Sequence, residues 1–255
     1  MKPQPILILG PVRGNLLERV ETARLLGLEA VCVLFDESPS HSSVETFTLE
    51  ALPKRLKDAP CILGAPRLYS ENTHKRLDKR WLVSNGSFVK ELEELGFRNW
   101  LTLIHPSATV SESAVLGHGS FVGPQVSISS ETKIGNFVSI GRGSSIGHDV
   151  VVGDFCSFGP GVTVPGKVEF GNFTLVGPAA TFANGLRISE GALIGAGSVV
   201  TKHVRNGNQV MGNPARKLRR PVAIAKRLIR QNIVRALKMT GFYERARVLF
   251  KQLRG

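Results

Sequence analysis

The stretch VSIGRGSSIGHDVVVG, residues 138–153, decides the fold because its apolar residues recur every six positions. Counting by six from Ile104 to Val200 visits 17 positions, and each of them carries a large apolar residue. The next position is often Gly, as at Gly147, and the position four after the apolar residue is mostly small or β-branched. Neither the period of an α-helix nor that of a plain strand produces this pattern. Each hexad is therefore predicted to form one short strand and a turn, with three hexads closing a triangular coil.

The same repeat predicts where the side chains lie. The apolar residues should stack inward from coil to coil, and the hexad glycines should supply turns with unusual backbone angles. Cys156 falls on the small inward position, so burial is its predicted role. Because no insertion interrupts the repeats, a parallel β-solenoid domain is predicted for residues 101–215.

Composition divides the rest of the chain into two further segments. Before the repeats, PILILG, LLERVETARLLGL and EAVCVLFDES indicate strand, helix and strand, which predicts a small Rossmann-like α/β domain over residues 1–100. After them, residues 216–255 contain 13 Lys and Arg and a single acid, so nearly all of the net charge of +13 lies in this tail. The apolar residues of the tail fall on one face, which predicts a basic amphipathic helix.

The order of these segments, with the motifs IHPSA (104–108), GHDVVVGDF (147–155), IGAGSVVTK (194–202) and GNPAR (212–216), resembles the hexapeptide-repeat sugar O- and N-acyltransferases of the sialic-acid O-acetyltransferase type. The resemblance covers roughly residues 5–218. It implies a left-handed parallel β-helix that works as a homotrimer, with active sites between subunits. It also implies transfer of an acyl group, most commonly from acetyl-CoA, to a sugar or nucleotide-linked sugar in the biosynthesis of bacterial surface glycans such as lipopolysaccharide.

A His-Asp pair, His148 and Asp149, lies within the repeats. Acyl transfer from a thioester needs a group that removes a proton from the attacking hydroxyl or amine, and a neutral imidazole does this near pH 7. A neighbouring carboxylate can hold the tautomer of the ring and stabilise the imidazolium. In the resembled family this position carries the general base and its partner. His148 is thus predicted as the base and Asp149 as the residue that orients it, without a covalent intermediate; the alternative is a polar turn residue.

The resemblance also implies a donor site for a CoA thioester in the groove between neighbouring β-helices. The pantetheine arm would follow the Gly-rich turns, and the phosphates would meet cationic side chains. The glycines would serve the turns whether or not a ligand binds. The solenoid has no set of three histidines to hold a metal, so no metal is expected. The residues assigned to the donor site are Ser157, Gly159, Gly166, Gly177, Gly195, Lys202, Arg216 and Lys217.

Departures from the family pattern leave the identity of the acceptor undetermined. Relatives commonly have Asn where this chain has Gly141 and His where it has Ser157. In the N-terminal domain, Gly10 and Gly14 of GPVRGN and Asp36 after the second strand are assigned to binding of the acceptor's nucleotide. Bulky residues crowd the turn between the two glycines, so the alternative is a domain that only packs on the β-helix. In that case the acceptor would be a lipid-linked or free sugar.

The remaining expectations concern partners and location. Three Cys without paired spacing, no bilayer-spanning apolar run and no signal-peptide pattern predict a cytoplasmic protein. The basic tail favours either peripheral contact with the inner face of a membrane or packing on the solenoid or a trimer neighbour. Nucleic acid is not expected as a partner, since aromatic platforms and base-reading motifs are missing. The competing functions are a catalytically silent scaffold at a membrane and an acyltransferase for a non-sugar small molecule.

Overall fold

The computed structural model describes residues 5–9, 16–34, 45–48, 52–53, 56, 58–63, 89–90, 92–205 and 207–218. The chain forms two compact units, Met1–Lys217 and Leu218–Gly255. Except for Leu218, the second unit lies outside the described residues, and with it the predicted tail helix. Within the described part of the chain, no helix has both the length and the apolar character needed to cross a membrane.

The N-terminal domain contains a four-stranded parallel sheet with the order β3-β2-β1-β4. The run PILIL of β1 is apolar because a central parallel strand is buried on both faces, and its residues 6–9 are fully buried. The predicted order of strand, helix and strand is confirmed. The elements are β1 (Pro5–Leu9), α1 (Leu16–Leu25), β2 (Glu29–Leu34), β3 (Glu45–Thr48) and β4 (Cys61–Leu63).

The hexads form a parallel solenoid with three sheets, as the repeat predicts. Each two-residue strand pairs with the strand 18 residues further on, as Ser139 does with Ser157. Sheet 1 contains β5 (Leu103–Ile104), β8 (Phe121–Val122), β11 (Ser139–Ile140), β14 (Ser157–Phe158), β17 (Leu175–Val176) and β20 (Leu193–Ile194). Sheet 2 contains β6 (Thr109–Val110), β9 (Ser127–Ile128), β12 (Ser145–Ile146), β15 (Thr163–Val164), β18 (Thr181–Phe182) and β21 (Val199–Val200). Sheet 3 contains β7 (Val115–Leu116), β10 (Lys133–Ile134), β13 (Val151–Val152), β16 (Glu169–Phe170) and β19 (Arg187–Ile188).

The interior of the solenoid combines apolar packing with a repeated polar bond. The apolar hexad residues, such as Ile140 and Ile146, are buried and form one continuous core. At the small position, Ser120, Thr132 and Ser144 are also buried, and each hydroxyl donates to a glycine carbonyl 15 residues further on, at 2.7–3.1 Å. These bonds satisfy polar groups that water cannot reach. Other hexads carry an apolar residue at this position, as at Val138 and Ala180, and these residues need no such partner.

The hexad glycines have a different role from the expected one. The expectation of unusual backbone angles at these glycines is wrong, because the left-handed residue of each turn lies two positions later, as Asp149 and Phe155 do with φ of 57°. The glycine is needed instead for close approach of the next coil. A Cβ on Gly141 would lie 2.7 Å from the backbone nitrogen of Pro160. At Gly141 the turn thus lies too close to the next coil for a side chain.

The N-terminal domain packs against the first coils of the solenoid. Val20 and Ala23 of α1 share an apolar cluster with Leu103 and Phe121 of sheet 1. A second cluster of the domain meets a column of aromatic rings on the turns between sheets 3 and 1, where Trp100 packs against Phe137 in a T-shaped contact. Parallel stacking continues through Phe137, Phe155 and Phe173, with ring centroids 5.1 and 5.3 Å apart. This packing joins the domain firmly to the coils that carry the candidate site.

The solenoid ends in a short hairpin. β22 (Gln209–Met211) extends sheet 1 beyond β20, and β23 (Arg216–Lys217) pairs with it antiparallel. The GNPAR motif forms the turn of this hairpin. His203 closes the end of sheet 3, because its Nδ1 accepts a 2.9 Å hydrogen bond from the backbone N–H of Arg187.

Candidate active site

The candidate site lies on one corner of the solenoid, the turn between β12 of sheet 2 and β13 of sheet 3. Gly147 approaches the next coil, His148 takes the first projecting position and Asp149 takes the left-handed position. Asp is among the residues that tolerate left-handed backbone. The backbone N–H of Asp149 donates to the carbonyl of Ser130 in the preceding coil at 3.1 Å, which fixes the turn. The hexad register therefore places both side chains on one outward corner.

The two side chains form the predicted pair. Nδ1 of His148 lies 2.7 Å from Oδ2 of Asp149. The side chains are 55% and 49% exposed, so the pair faces solvent and is open to a substrate. Because a carboxylate only accepts hydrogen bonds, it selects the tautomer with the proton on Nδ1 and leaves the lone pair on Nε2. This is the arrangement that a general base requires.

Gly166 lies directly beside the imidazole. It occupies the same turn position as His148, one coil and 18 residues further on, and it is buried. A Cβ built on Gly166 would meet Nε2 of His148, with Cε1 at 2.5 Å and Cδ2 at 2.9 Å. The ring thus rests against a bare backbone. Gly166 was predicted as a donor-site residue, and its contact with His148 was not predicted, although the 18-residue register could have indicated it.

The structure divides the other predicted donor residues between two corners. Gly159, Gly177 and Gly195 stack on the turns that follow sheet 1, one corner away from His148. Lys202 follows β21 and is exposed on the corner of His148, three coils further on. Since each coil rises about 4.8 Å, the backbones of His148 and Lys202 lie about 14 Å apart along the solenoid.

The structure places the remaining predicted residues elsewhere. Ser157 is 5% exposed on the outer face of sheet 1, so within this chain it is not brought to the corner of His148. Arg216 and Lys217 are exposed on β23 at the end of the solenoid. Gly10, Gly14 and Asp36, assigned to the acceptor's nucleotide, lie outside the described residues.

The other histidines of the solenoid make structural contacts. Nδ1 of His105, in the IHPSA motif, accepts a 3.0 Å bond from the backbone N–H of Ser107. His118 packs against the Phe137 ring in a T-shaped contact on a different corner. Among the residues that the structure describes, no group of three His, Cys, Asp or Glu side chains is arranged to hold a metal ion.

Comparison with known proteins identifies the class. The family model for the bacterial transferase hexapeptide (six repeats) matches residues 131–166, which include the His148 corner. A mutant of perosamine N-acetyltransferase from Caulobacter crescentus, in complex with CoA and GDP-perosamine, is 25% identical, with a TM-score of 0.71 over 83% of this chain and 95% of that chain. The acetyltransferase domain of PglB from Neisseria gonorrhoeae FA1090, in complex with acetyl coenzyme A, is 22% identical, with a TM-score of 0.71 over 85% and 100%. WeeI from Acinetobacter baumannii AYE is 22% identical, with a TM-score of 0.64 over 84% and 100%. Among curated proteins, none matches the chain.

The repeats and the shared fold show a parallel β-solenoid with bacterial transferase hexapeptide repeats, consistent with a left-handed β-helix. The likeness covers 83% of this chain and 95% of the perosamine N-acetyltransferase. Together these findings support a hexapeptide-repeat sugar acyltransferase. Its finer assignment to the sialic-acid O-acetyltransferase type stays a prediction.

Proposed function

We propose that the protein transfers an acyl group, most commonly acetyl, from a CoA thioester to a hydroxyl or amino group of a nucleotide-linked sugar, in the biosynthesis of a bacterial surface glycan. The observation that carries this proposal is the His148–Asp149 pair, held at 2.7 Å on an exposed corner of the β-helix. The structural relative with CoA and GDP-perosamine supports both the donor and the class of acceptor.

In the proposed reaction, His148 acts on the acceptor. Nε2 accepts the proton of the attacking hydroxyl or amine as that group adds to the thioester carbonyl. The carbon–sulfur bond then breaks, and the imidazolium returns the proton to the departing thiolate. Asp149 accepts the Nδ1–H throughout and stabilises the transient positive charge on the ring. No bond forms between the protein and the acyl group.

The donor site is proposed along the corner that starts at His148. Lys202 is exposed on this corner and can pair with phosphate oxygens of the CoA, and Arg216 and Lys217 add cations near the end of the β-helix. The acyl end would then lie at His148 and the nucleotide end towards the end of the solenoid. Acetyl-CoA is the donor that fits both the family resemblance and the complexes of the structural relatives.

Several features of the assembly are also proposals. A homotrimer would place a neighbouring subunit against the outer faces of the solenoid, where Val115 and Val151 of sheet 3 are exposed apolar residues. Location in the cytoplasm and contact of the basic tail with the inner face of a membrane remain predictions, since residues 219–255 of the tail lie outside the described residues.

Thermal unfolding with and without acetyl-CoA tests the donor site without knowledge of the acceptor. Ligand at about 100 times its dissociation constant stabilises the folded state by about 2.7 kcal/mol, which raises Tm by a few degrees. We expect a saturable rise with acetyl-CoA and free CoA, and a smaller rise in Lys202→Glu. Lys90→Glu, an exposed lysine of the N-terminal domain, is the matched control and should behave as wild type. No shift at millimolar ligand would favour the silent scaffold instead.

Replacement of His148 tests the base. With amino sugars and sugar nucleotides as acceptors and thiol release as the readout, His148→Ala should lower turnover by about 100-fold or more. Because His148 is exposed, the variant should keep the Tm of the wild type and the shift with acetyl-CoA. Turnover equal to wild type in His148→Ala would exclude His148 as the base.

A further inference from the structure

The close approach of Gly166 to the His148 ring differs from the approaches that most hexad glycines make. At the hexad glycines Gly141, Gly147 and Gly159, an added Cβ would meet the backbone of the next coil. At Gly166 the three nearest atoms all belong to the His148 imidazole. Gly166 is also shifted by one position, because Pro165 takes the usual place of the hexad glycine. The stacking of the coils therefore does not explain why residue 166 is Gly.

Backbone conformation does not explain it either. The φ of Gly166 lies outside the left-handed region, and the left-handed position of this turn belongs to Lys167, with φ of 60°. An Ala at residue 166 would fit the backbone without strain. At the equivalent turn position the other coils carry side chains, namely Glu112, Ser130, Asn184 and Lys202. Within this chain, the group that a side chain at residue 166 would meet is the His148 imidazole.

We propose that Gly166 is a positioning residue whose missing side chain creates the seat that holds the His148 imidazole in its catalytic orientation. Two contacts then define the ring. Asp149 holds Nδ1 through the 2.7 Å bond, and the missing side chain of Gly166 leaves room for the part of the ring that carries Nε2. A backbone hydrogen bond also joins the two turns, since the N–H of Lys167 donates to the carbonyl of His148 at 2.9 Å. This inference rests on the proposed role of His148 as general base.

A methyl group at residue 166 would displace the ring rather than the coil. The imidazole is the end of a mobile, half-exposed side chain, so it can turn away from the new Cβ at little cost in folding free energy. Nε2 would then leave its position beside the proposed donor site. Because a displacement of about 1 Å in an active site can cost about 100-fold in rate, we expect kcat to fall by about 10- to 100-fold in Gly166→Ala.

The decisive experiment compares Gly166→Ala, Lys167→Ala, His148→Ala and the double variant Gly166→Ala/His148→Ala by kinetics, Tm and crystal structure. We expect Gly166→Ala to lower kcat with little change in KM for acetyl-CoA and in Tm, and its structure to show the ring rotated from residue 166. Lys167→Ala should match wild type, because Ala179 already occupies the same left-handed turn position in another coil. In the His148→Ala background the second substitution should cost nothing further.

Different outcomes separate the two proposals. If His148→Ala keeps wild-type turnover, the proposed base is wrong whatever Gly166→Ala does. Suppose that His148→Ala is inactive while Gly166→Ala keeps wild-type kcat, or that the structure of Gly166→Ala shows an unmoved ring. The positioning role of Gly166 is then wrong, and the role of His148 as general base is retained. If Gly166→Ala fails to fold, nuclear Overhauser contacts between the His148 ring protons and Gly166 Hα in the wild-type protein decide. Their presence would support the seat, and their absence would overturn it.

Discussion

Nη2 of Arg19 donates a 3.1 Å hydrogen bond to Oγ of Ser139, which lies 120 residues further along the chain. The guanidinium also lies 4.2 Å from the centroid of the Phe121 ring. Arg19 is 2% exposed, and burial lowers its pKa to about 10 against the opposing effect of Glu18, so the side chain stays charged at neutral pH. A buried cation thus connects α1 of the N-terminal domain to sheet 1, one hexad before the His148 corner.

Replacing Arg19 should weaken this connection. Arg19→Ala removes a charged hydrogen bond and a cation–π contact, which together contribute about 2–4 kcal/mol to the free energy of unfolding. Glu21→Ala, on an exposed position of the same helix, is the matched control and should change stability by about 0.5 kcal/mol or less. Chemical denaturation measures both variants. Equal stability of the two variants would contradict a structural role for the buried cation.

The connection shows which features of the molecule can be predicted from its sequence. The hexad register placed His148 and Asp149 on one outward corner, because adjacent residues in a repeated turn have a local geometry. The contact of Arg19 with Ser139 depends on how two domains pack, and nothing in the local sequence signals it. The role of Gly141 was predicted wrongly for a similar reason, since the backbone that excludes a Cβ belongs to the next coil.

Each of the stacked rings Phe137, Phe155 and Phe173 should stabilise the solenoid in proportion to the number of rings on which it stacks. Phe155 stacks on both other rings, whereas Phe173 stacks on one. Each stacked pair contributes about 0.5–1.5 kcal/mol beyond burial. Phe155→Ala should therefore lower the free energy of unfolding by more than Phe173→Ala, by about the value of one pair. The two residues share a φ of 57°, so backbone strain cancels in the comparison. Denaturation curves that gave equal losses would argue against stacking as the source.

The three cysteines should be unreactive in the folded protein. All are buried, and burial raises the pKa of Cys32 to about 11 and the pKa values of Cys61 and Cys156 to about 12. Native protein at pH 8 should resist iodoacetamide, whereas unfolded protein should react at all three thiols. Because these thiols ionise more readily in the unfolded chain, stability should fall as the pH rises from about 9 towards 12.

A serine substitution provides the control for Cys156. Its Sγ donates to the carbonyl of Gly171 at 3.2 Å, in the position where Ser120 and Ser144 make the same bond from a hydroxyl. Cys156→Ser should therefore fold with near-wild-type Tm and lose part of the alkaline decrease in stability. Rapid alkylation of native protein, or a large loss of Tm in Cys156→Ser, would contradict the buried donor role.

Replacing Gly141 by Asn, the residue that is common in the resembled family, should lower the stability of the fold rather than change catalysis directly. A Cβ at this position would lie 2.7 Å from the backbone nitrogen of Pro160 and 2.8 Å from the carbonyl carbon of Gly159, and neither atom can move without shifting a coil. Overpacking of this kind costs about 1–3 kcal/mol. We expect Gly141→Asn and Gly141→Ala to lower Tm by similar amounts, because the Cβ is common to both, while Arg142→Asn on the exposed neighbour stays near wild type. If Gly141→Asn instead folds normally and gains activity, the departure at this position limits catalysis, and the close stacking at residue 141 is not what selects Gly.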